Sequence, residues 1–323
     1  MNVSVASSPH FSNMKQGTRQ MMVDVILALI PTIAVSVWIF GWYSILHIGI
    51  CVLTCSLTEL VWKKLAGMPA SVSDASGPLT GIILALSLPW SAPIYVSVLG
   101  SIFAIAIGKM IFGGLGMNLF NPAMVGRAFV MLSFAGALGA SAYVYDGAPA
   151  DALTQATPLT VARDVATAQE FPGLWPLLIG KTNGSLGETS SLAILLGGIF
   201  LCVRRTAAWQ IPTGVVLGAV IPAAFFQLLG FTTITAFDHL FAGSLLFGAF
   251  FIATDPVSSP ITPKGKWIFG VGIGILIMIL RTFSSYPEGV MFAVLLMNSV
   301  VPLLNRWTIP TPVGGSFPEK PNA

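Results

Sequence analysis

Ten stretches dominated by apolar residues, at about 21–40, 43–65, 77–89, 94–112, 122–143, 187–203, 211–231, 240–254, 267–283 and 289–305, fill most of the 323-residue chain. An α-helix rises 1.5 Å per residue, so roughly 20 apolar residues cross a bilayer. Most of the runs reach that length. Charge decides where they sit. Only 8% of the residues are Asp, Glu, Lys or Arg and 55% are hydrophobic, whereas a soluble domain carries about 25% charged residues. Twelve acids and fifteen bases cannot cover a globular surface, so lipid must cover most of it. The fold class is an all-α polytopic membrane protein of about ten transmembrane helices.

The same composition excludes other classes. A net charge of +3 without a basic run argues against nucleic acid as a partner. Cys51, Cys55 and Cys202 lie in apolar runs without Cys-x-x-Cys spacing, which signals neither an iron–sulfur cluster, a zinc knuckle nor a disulfide framework. Cys51 and Cys55, one helical turn apart, read as small buried hydrophobes rather than as a metal clamp. His10, His47 and His239 are too scattered for a pair of haem ligands. The polar start of the chain is not a signal-peptide pattern.

Two runs are short and close on proline: 77–89 at Pro89, and 240–254 before Asp255-Pro256. Short Gly/Pro-interrupted segments at matching places in two halves point to a site in membrane proteins built from repeats. A shift of 167 residues lays Pro89, Ser91, Pro93 and Ile94 on Pro256, Ser258, Pro260 and Ile261, and Trp42 on Trp209. It also lays each apolar run of the first half on one of the second. The expectation is five spans repeated once, with the short broken helices near 77–89 and 240–254. An odd number of spans per repeat inverts the second half against the first.

Alternating ten spans from a cytoplasmic N-terminus puts eleven Lys and Arg residues, among them Lys63, Lys109 and Arg204, on the cytoplasmic side, against Arg163, Lys181 and Arg281 outside. That is the bias expected of a correct topology. Five segments follow: a cytoplasmic segment 1–20, a first repeat 21–143, an extracytoplasmic loop 144–186, a second repeat 187–305 and a cytoplasmic tail 306–323. Both termini are expected inside. The long polar loop, in an otherwise tightly looped chain, is where function is first sought.

Within that loop lies Asp151-Ala-Leu-Thr-Gln-Ala-Thr-Pro-Leu-Thr160, by itself a turn rich in Thr and Pro. Ser185-x-x-Glu188 reads as a capping box opening span six, and its free N–H groups suit an anion such as a phosphate. Asn121 before Pro122 reads as an N-cap. Among the acids in or at the ends of spans, Glu59 has Lys63 four residues on, and Asp24 sits where the positive end of a helix dipole favours it. Asp255, beside Pro256 in a broken segment, is the strongest candidate for an ion path. Arg127, inside a span, needs a partner: a phosphate or one of these acids.

Five strings carry a resemblance: Thr154-Gln-Ala-Thr157, Gly113 through Phe129 with its Asn-Pro-Ala, Gly184-Ser-Leu-Gly-Glu-Thr-Ser190, Ser73 through Gly81, and Asp255 through Pro260. They resemble the family shared by the D subunit of the Rnf electron-transport complex and the B subunit of the Na⁺-translocating NADH:quinone reductase. The resemblance covers essentially the whole chain. The start of the first run near residue 21, without a longer extension, favours the Rnf branch. It implies a subunit of an ion-translocating ferredoxin:NAD oxidoreductase, inactive alone, that relays electrons coupled to Na⁺ or H⁺ movement in a bacterial inner membrane. Its cofactor would be FMN joined by a phosphoester to Thr157, with Ser185 and Glu188 near it. Gln155 stands where the motif usually has Gly, and Thr154 and Thr160 are the fallback acceptors. Asn118 and Asn121 would hold a second, noncovalent flavin (riboflavin). Implied partners are the other Rnf subunits, a flavin transferase that loads the periplasmic loop, and the lipid bilayer. The rival reading is an inverted-repeat channel or secondary transporter without a redox cofactor, since the architecture alone demands no redox role.

Overall fold

The structure, a computed structural model, describes residues 17–68, 73–138, 158–159, 173–180, 182–232, 234–284 and 288–310. Thr154, Thr157 and Thr160 lie outside these residues, as do both chain ends. Among the described residues all regular structure is helical. The first half holds α1 (Thr18–Phe40), α2 (Trp42–Leu65), α3 (Ser76–Ser87), α4 (Ile94–Ala106) and α5 (Pro122–Ser133). After a short helix α6 (Leu174–Ile179) come α7 (Ser191–Val203), α8 (Gln210–Leu228), α9 (Ala236–Phe241), α10 (Leu245–Phe247), α11 (Pro263–Phe283) and α12 (Val290–Thr308). α10 runs on as a single wide π turn, Gly248–Ile252.

Each apolar run contains a helical segment, but among the described residues six segments are long and apolar enough to cross a membrane: Thr18–Phe40, Trp42–Leu65, Ile94–Phe112, Gln210–Leu228, Pro263–Phe283 and Val290–Thr308. The run 122–143 yields a helix only to Ser133, where the chain turns into a 3₁₀ segment, Ala135–Leu138. α2, α3, α4 and α5 begin 168 or 169 residues before α8, α10, α11 and α12.

The short helices are central. All of α3 except Pro78 is buried, against α1, α2, α4 and α5, while α1 and α2 turn Leu27, Trp38, Leu53 and Leu57 outward. An aliphatic surface of that kind suits lipid. α8 and α11 meet through Gly214 and Gly218 against Gly270 and Gly274, the small-residue contact by which membrane helices pack closely.

At 12 residues α3 is about 18 Å long, well short of a 30 Å hydrocarbon core. Its last carbonyls need partners, because an unpaired backbone group inside a membrane costs several kcal/mol. The loop before α7 supplies them: Leu186 N–H donates to Leu88 O at 3.0 Å and Gly187 N–H to Leu86 O at 2.7 Å. Gly187 permits this approach, since a Cβ there would lie 2.8 Å from the Leu86 Cβ. The break in the second half is closed differently. The Asn121 side-chain amide donates to Ile252 O at 3.3 Å, where the π turn ends.

Candidate functional site

The two broken segments organise polar side chains into two groups, at opposite ends of α3, α7 and α11. The first group lines a cleft where α1, α3 and α5 begin and the π turn ends. The cleft encloses about 740 Å³ of empty space, its open mouth included, and brings Asn118, Asn121 and Asp255 together with Ser76, Thr80 and Lys109. Leu79, Ile83, Leu115 and Phe251 supply its apolar walls. Asn121 is the N-cap of α5, as the sequence indicates: its side-chain oxygen accepts from Ala123 N–H and Met124 N–H at 3.1 and 3.3 Å. Asn118 donates its amide to Phe120 O at 3.0 Å. Asp255 accepts from the Ser258 hydroxyl at 2.7 Å and forms no ion pair among the described residues. Burial pushes its carboxyl above the usual range.

Beside the cleft, Glu59 is fully buried between two lysines: Lys63 Nζ at 2.7 Å and Lys109 Nζ at 2.8 Å. Lys109 also donates to the Ser76 hydroxyl at 2.5 Å. The i,i+4 pairing with Lys63 is thus present, but Lys109 is itself buried, so it faces Glu59 and the cleft instead of solvent. Asp24 does more than favour a helix dipole. It accepts from Arg204 at 3.1 Å and from Thr206 at 3.0 Å, tying α1 to the end of α7.

The second group gathers where α3 ends and α7 and α12 begin. Arg127 Nη2 donates to Glu288 Oε2 at 2.7 Å, and Ser244 N–H donates to Glu288 Oε1 at 2.8 Å. Arg127 therefore finds its partner in Glu288, and in none of the acids Asp24, Glu59 and Asp255. Glu188 Oε1 accepts from Ser185 N–H at 2.6 Å. The capping box read at Ser185–Glu188 is only half formed. α7 starts at Ser191 with Ser190 as its N-cap, and the Ser185 hydroxyl has no partner among the described residues. The reason is that residues 185–187 are held against the end of α3, which leaves no room for a helix to begin there. Glu188 instead meets the Glu288 carboxyl; burial first, then that neighbouring negative charge, push its pKa up to about 8. Burial would raise Glu288, but the Arg127 guanidinium, then the hydrogen bonds with Glu188 and Ser244, outweigh it and hold Glu288 low, at about 2. Arg281 completes the group, donating to His239 O at 2.5 Å and Ala242 O at 2.9 Å from a buried position.

Thr157 lies outside the described residues, but Leu159, two positions on, is buried against Leu177 and Ala242. A Cβ added at Gly243 would lie 2.6 Å from Leu159, 3.0 Å from Glu288 Oε1 and 3.1 Å from Arg281 Nη2. Leu159 is thus seated beside Gly243, close to Glu288 and Arg281 of the second group. Sequence reasoning missed Glu288 as a partner and Arg281 as a buried one. The available signal was weak: Glu288 falls just before a span, and the 167-residue shift pairs it with Asn121.

Fold and sites together define a helical membrane protein with buried ionisable groups at both ends of interrupted helices, a class in which such groups mark ion, proton or electron paths. Within it, the chain belongs to the NQR2, RnfD, RnfE family, whose model matches residues 4–314. It is 41% identical to the D subunit of the Na(+)-translocating ferredoxin:NAD(+) oxidoreductase complex of Acetobacterium woodii, over 95% of this chain and 94% of the relative. It is 38% identical to the D subunit of the proton-translocating ferredoxin:NAD(+) oxidoreductase complex of Clostridium ljungdahlii, over 96% of each. The D subunit of the ion-translocating oxidoreductase complex of Escherichia coli O139:H28 is 35% identical, over 96% of this chain and 98% of the relative.

Proposed function

We propose that this chain is the membrane flavoprotein subunit of an ion-translocating ferredoxin:NAD⁺ oxidoreductase complex, relaying electrons while Na⁺ or H⁺ crosses the bilayer. The observation that carries this reading is the near full-length similarity to the Acetobacterium and Clostridium proteins, whose names give that reaction. The other subunits bind NAD(H), ferredoxin and further redox centres, so the isolated chain is inactive. Ten spans form two inverted five-helix repeats in the bacterial inner membrane, with both termini cytoplasmic and the 144–186 loop periplasmic. The equal spacing of four helix pairs along the chain supports the repeat.

FMN, attached by a flavin transferase through a phosphoester to Thr157, is the electron carrier at the periplasmic end. The residues present suit it. Leu159 is anchored beside Arg281, and the unpartnered Ser185 hydroxyl lies in the adjoining loop. The phosphodiester is an anion, and Arg127 and Arg281 supply positive charge at that end. Bound there, the flavin would supply the redox chemistry; the chain positions it and sets its electrostatics. A covalent link keeps the cofactor at high effective concentration outside the cytoplasm.

The cleft suits a second, uncharged flavin, riboflavin. Asn118, Ser76, Thr80 and Lys109 offer a polar edge, and Leu79, Ile83 and Phe251 an apolar wall. Asn121 uses its amide on the backbone of α5 and of the π turn, so its part is to shape the cleft. Asp255, buried at the broken helix without a cation among the described residues, is the ion-path residue.

Flavin fluorescence read in a denaturing gel tests the reading, with Thr157→Ala beside the wild type and the transferase co-expressed. A fluorescent wild-type band that disappears in Thr157→Ala is the expected result. A dark wild-type band overturns it and leaves the transporter without a redox cofactor.

A further inference from the structure

In the second group the donors and acceptors do not balance. Both Glu288 oxygens are taken, one by Arg127 and one by Ser244 N–H. Glu188 has one oxygen on Ser185 N–H, while the other is buried and receives no hydrogen bond from any donor among the described residues. The Glu288 carboxyl lies within hydrogen-bonding reach of the Glu188 carboxyl. Two carboxylate oxygens in contact repel, and a buried acceptor without a donor is left with its full desolvation penalty. One proton between the two carboxyls removes both penalties, which is how close carboxyl pairs titrate in general.

The surroundings favour a single proton rather than none or two. Among the described residues, Arg127 from α5 and Arg281 from α11 are the cations facing the pair. His239 from α9 is held neutral by burial and by Arg281, its pKa pushed down to about 4. Asp238 is engaged in its own cap at Thr235. At the end of α3, the loop before α7 meets the uncharged residues Leu86, Leu88 and Pro89. Arg127 keeps Glu288 ionised, so the proton resides on Glu188.

We propose that Glu188 and Glu288 share one exchangeable proton, and that this proton compensates charge when an electron reaches this end of the protein. The second half rests on the reading that a flavin is attached at Thr157. The balance is simple. Above about pH 8 the pair has lost its proton, and there one electron derived from reduced ferredoxin brings one proton from water onto Glu188 when it reaches the flavin. Both leave together on reoxidation, and at lower pH the proton is already in place. Glu188 is the proton carrier, Arg127 sets which carboxyl holds it, and Ser185 N–H fixes the orientation.

The test uses the intact complex and two readouts. The first is the infrared C=O band of a protonated carboxyl. It should be present at about pH 6, fade through about pH 8, and be missing in Glu188→Gln, which keeps the shape and the Ser185 contact. Glu188→Asp, still an acid, should retain a band with a shifted midpoint. Thr157→Ala must leave the band in place, so this readout stands or falls independently of the flavin. A wild type without the band, or a band unchanged in Glu188→Gln, overturns the shared proton. The second readout is the flavin midpoint potential against pH. In the wild type it should steepen above about pH 8, where each electron brings a proton, and Glu188→Gln should lack that break. Parallel curves for the two proteins overturn the coupling to electrons even if the infrared band is as expected.

Discussion

Two buried glutamates behave in opposite ways. Glu59 sits between Lys63 and Lys109 at 2.7 and 2.8 Å, with Ser76 satisfying a further Lys109 proton. Glu188 sits against a second carboxylate and forms no ion pair among the described residues. Burying a carboxylate is costly unless it is paired, and Glu59 meets that condition twice over. Its network holds α2 to the entrance of α3 and to the segment after α4. The Glu188 group meets the condition only by keeping a proton. Complete pairing locks structure, whereas incomplete pairing leaves a group whose charge can change, as proton-linked chemistry requires.

The sharpest attempt to break this contrast is Glu59→Ala. It leaves Lys109 buried and uncompensated, and truncating one partner of a buried pair costs about 3–5 kcal/mol. Thermal unfolding of the detergent-solubilised protein should show the loss, and adding Lys109→Met should recover part of it. Failure of the double variant to recover would mean that Glu59 matters for something other than pairing Lys109.

Arg127→Ala removes the cation from Glu288 and should cost less, about 1–3 kcal/mol, because both side chains retain some exposure, 15% and 19%. It should also let the proton pass to Glu288, so the infrared carboxyl signal should change position. A band identical to that of the wild type would show that Arg127 does not bias the pair. Asn121→Ala comes next. Losing an N-cap costs about 1 kcal/mol, and the π turn loses the donor at Ile252 O as well. The unfolding midpoint should fall, and the proposed riboflavin site predicts that riboflavin content of the purified protein falls with it.

The smallest effect at fixed pH, and the most informative across pH, belongs to Glu188→Gln. Glu188 has a folded pKa of about 8, above its ordinary 4.5, so between those values the folded state binds more protons than the unfolded one. Stability therefore falls as pH rises from about 4.5 to about 8. Glu288, held at about 2, works the other way: its contribution is present above about 4.5 and is lost as pH falls towards 2. Unfolding midpoints at pH 5.5 and pH 8 should differ in the wild type, with the higher value at pH 5.5, and Glu188→Gln should narrow the difference. An equal difference in both proteins would remove Glu188 from the pH response.

Much of the fold is legible in the sequence because hydrophobic runs and helix caps are local. The apolar runs locate the helices, Asn121 before Pro122 gives the start of α5, and the spacing of Glu59 and Lys63 gives their pair. The candidate site is only partly legible. Asn118, Asn121 and Asp255 carry recognisable signals and do share a cleft. Glu188 carries one too, but the capping box it suggests is overridden by the end of α3, whose carbonyls claim the loop.

By itself the sequence determined that this chain is helical, lies in a membrane and is interrupted at two matching places, since composition and periodicity act through the solvent and through neighbouring residues. The tertiary structure alone decided which charges meet. Lys109 reaches Glu59 across 50 residues, Arg127 reaches Glu288 across 161, and Arg204 reaches Asp24 across 180. At such separations no local pattern fixes a partner. Each charge takes the counter-charge that helix packing brings within a few ångströms, because in a low-dielectric interior nothing else offsets the cost of its burial.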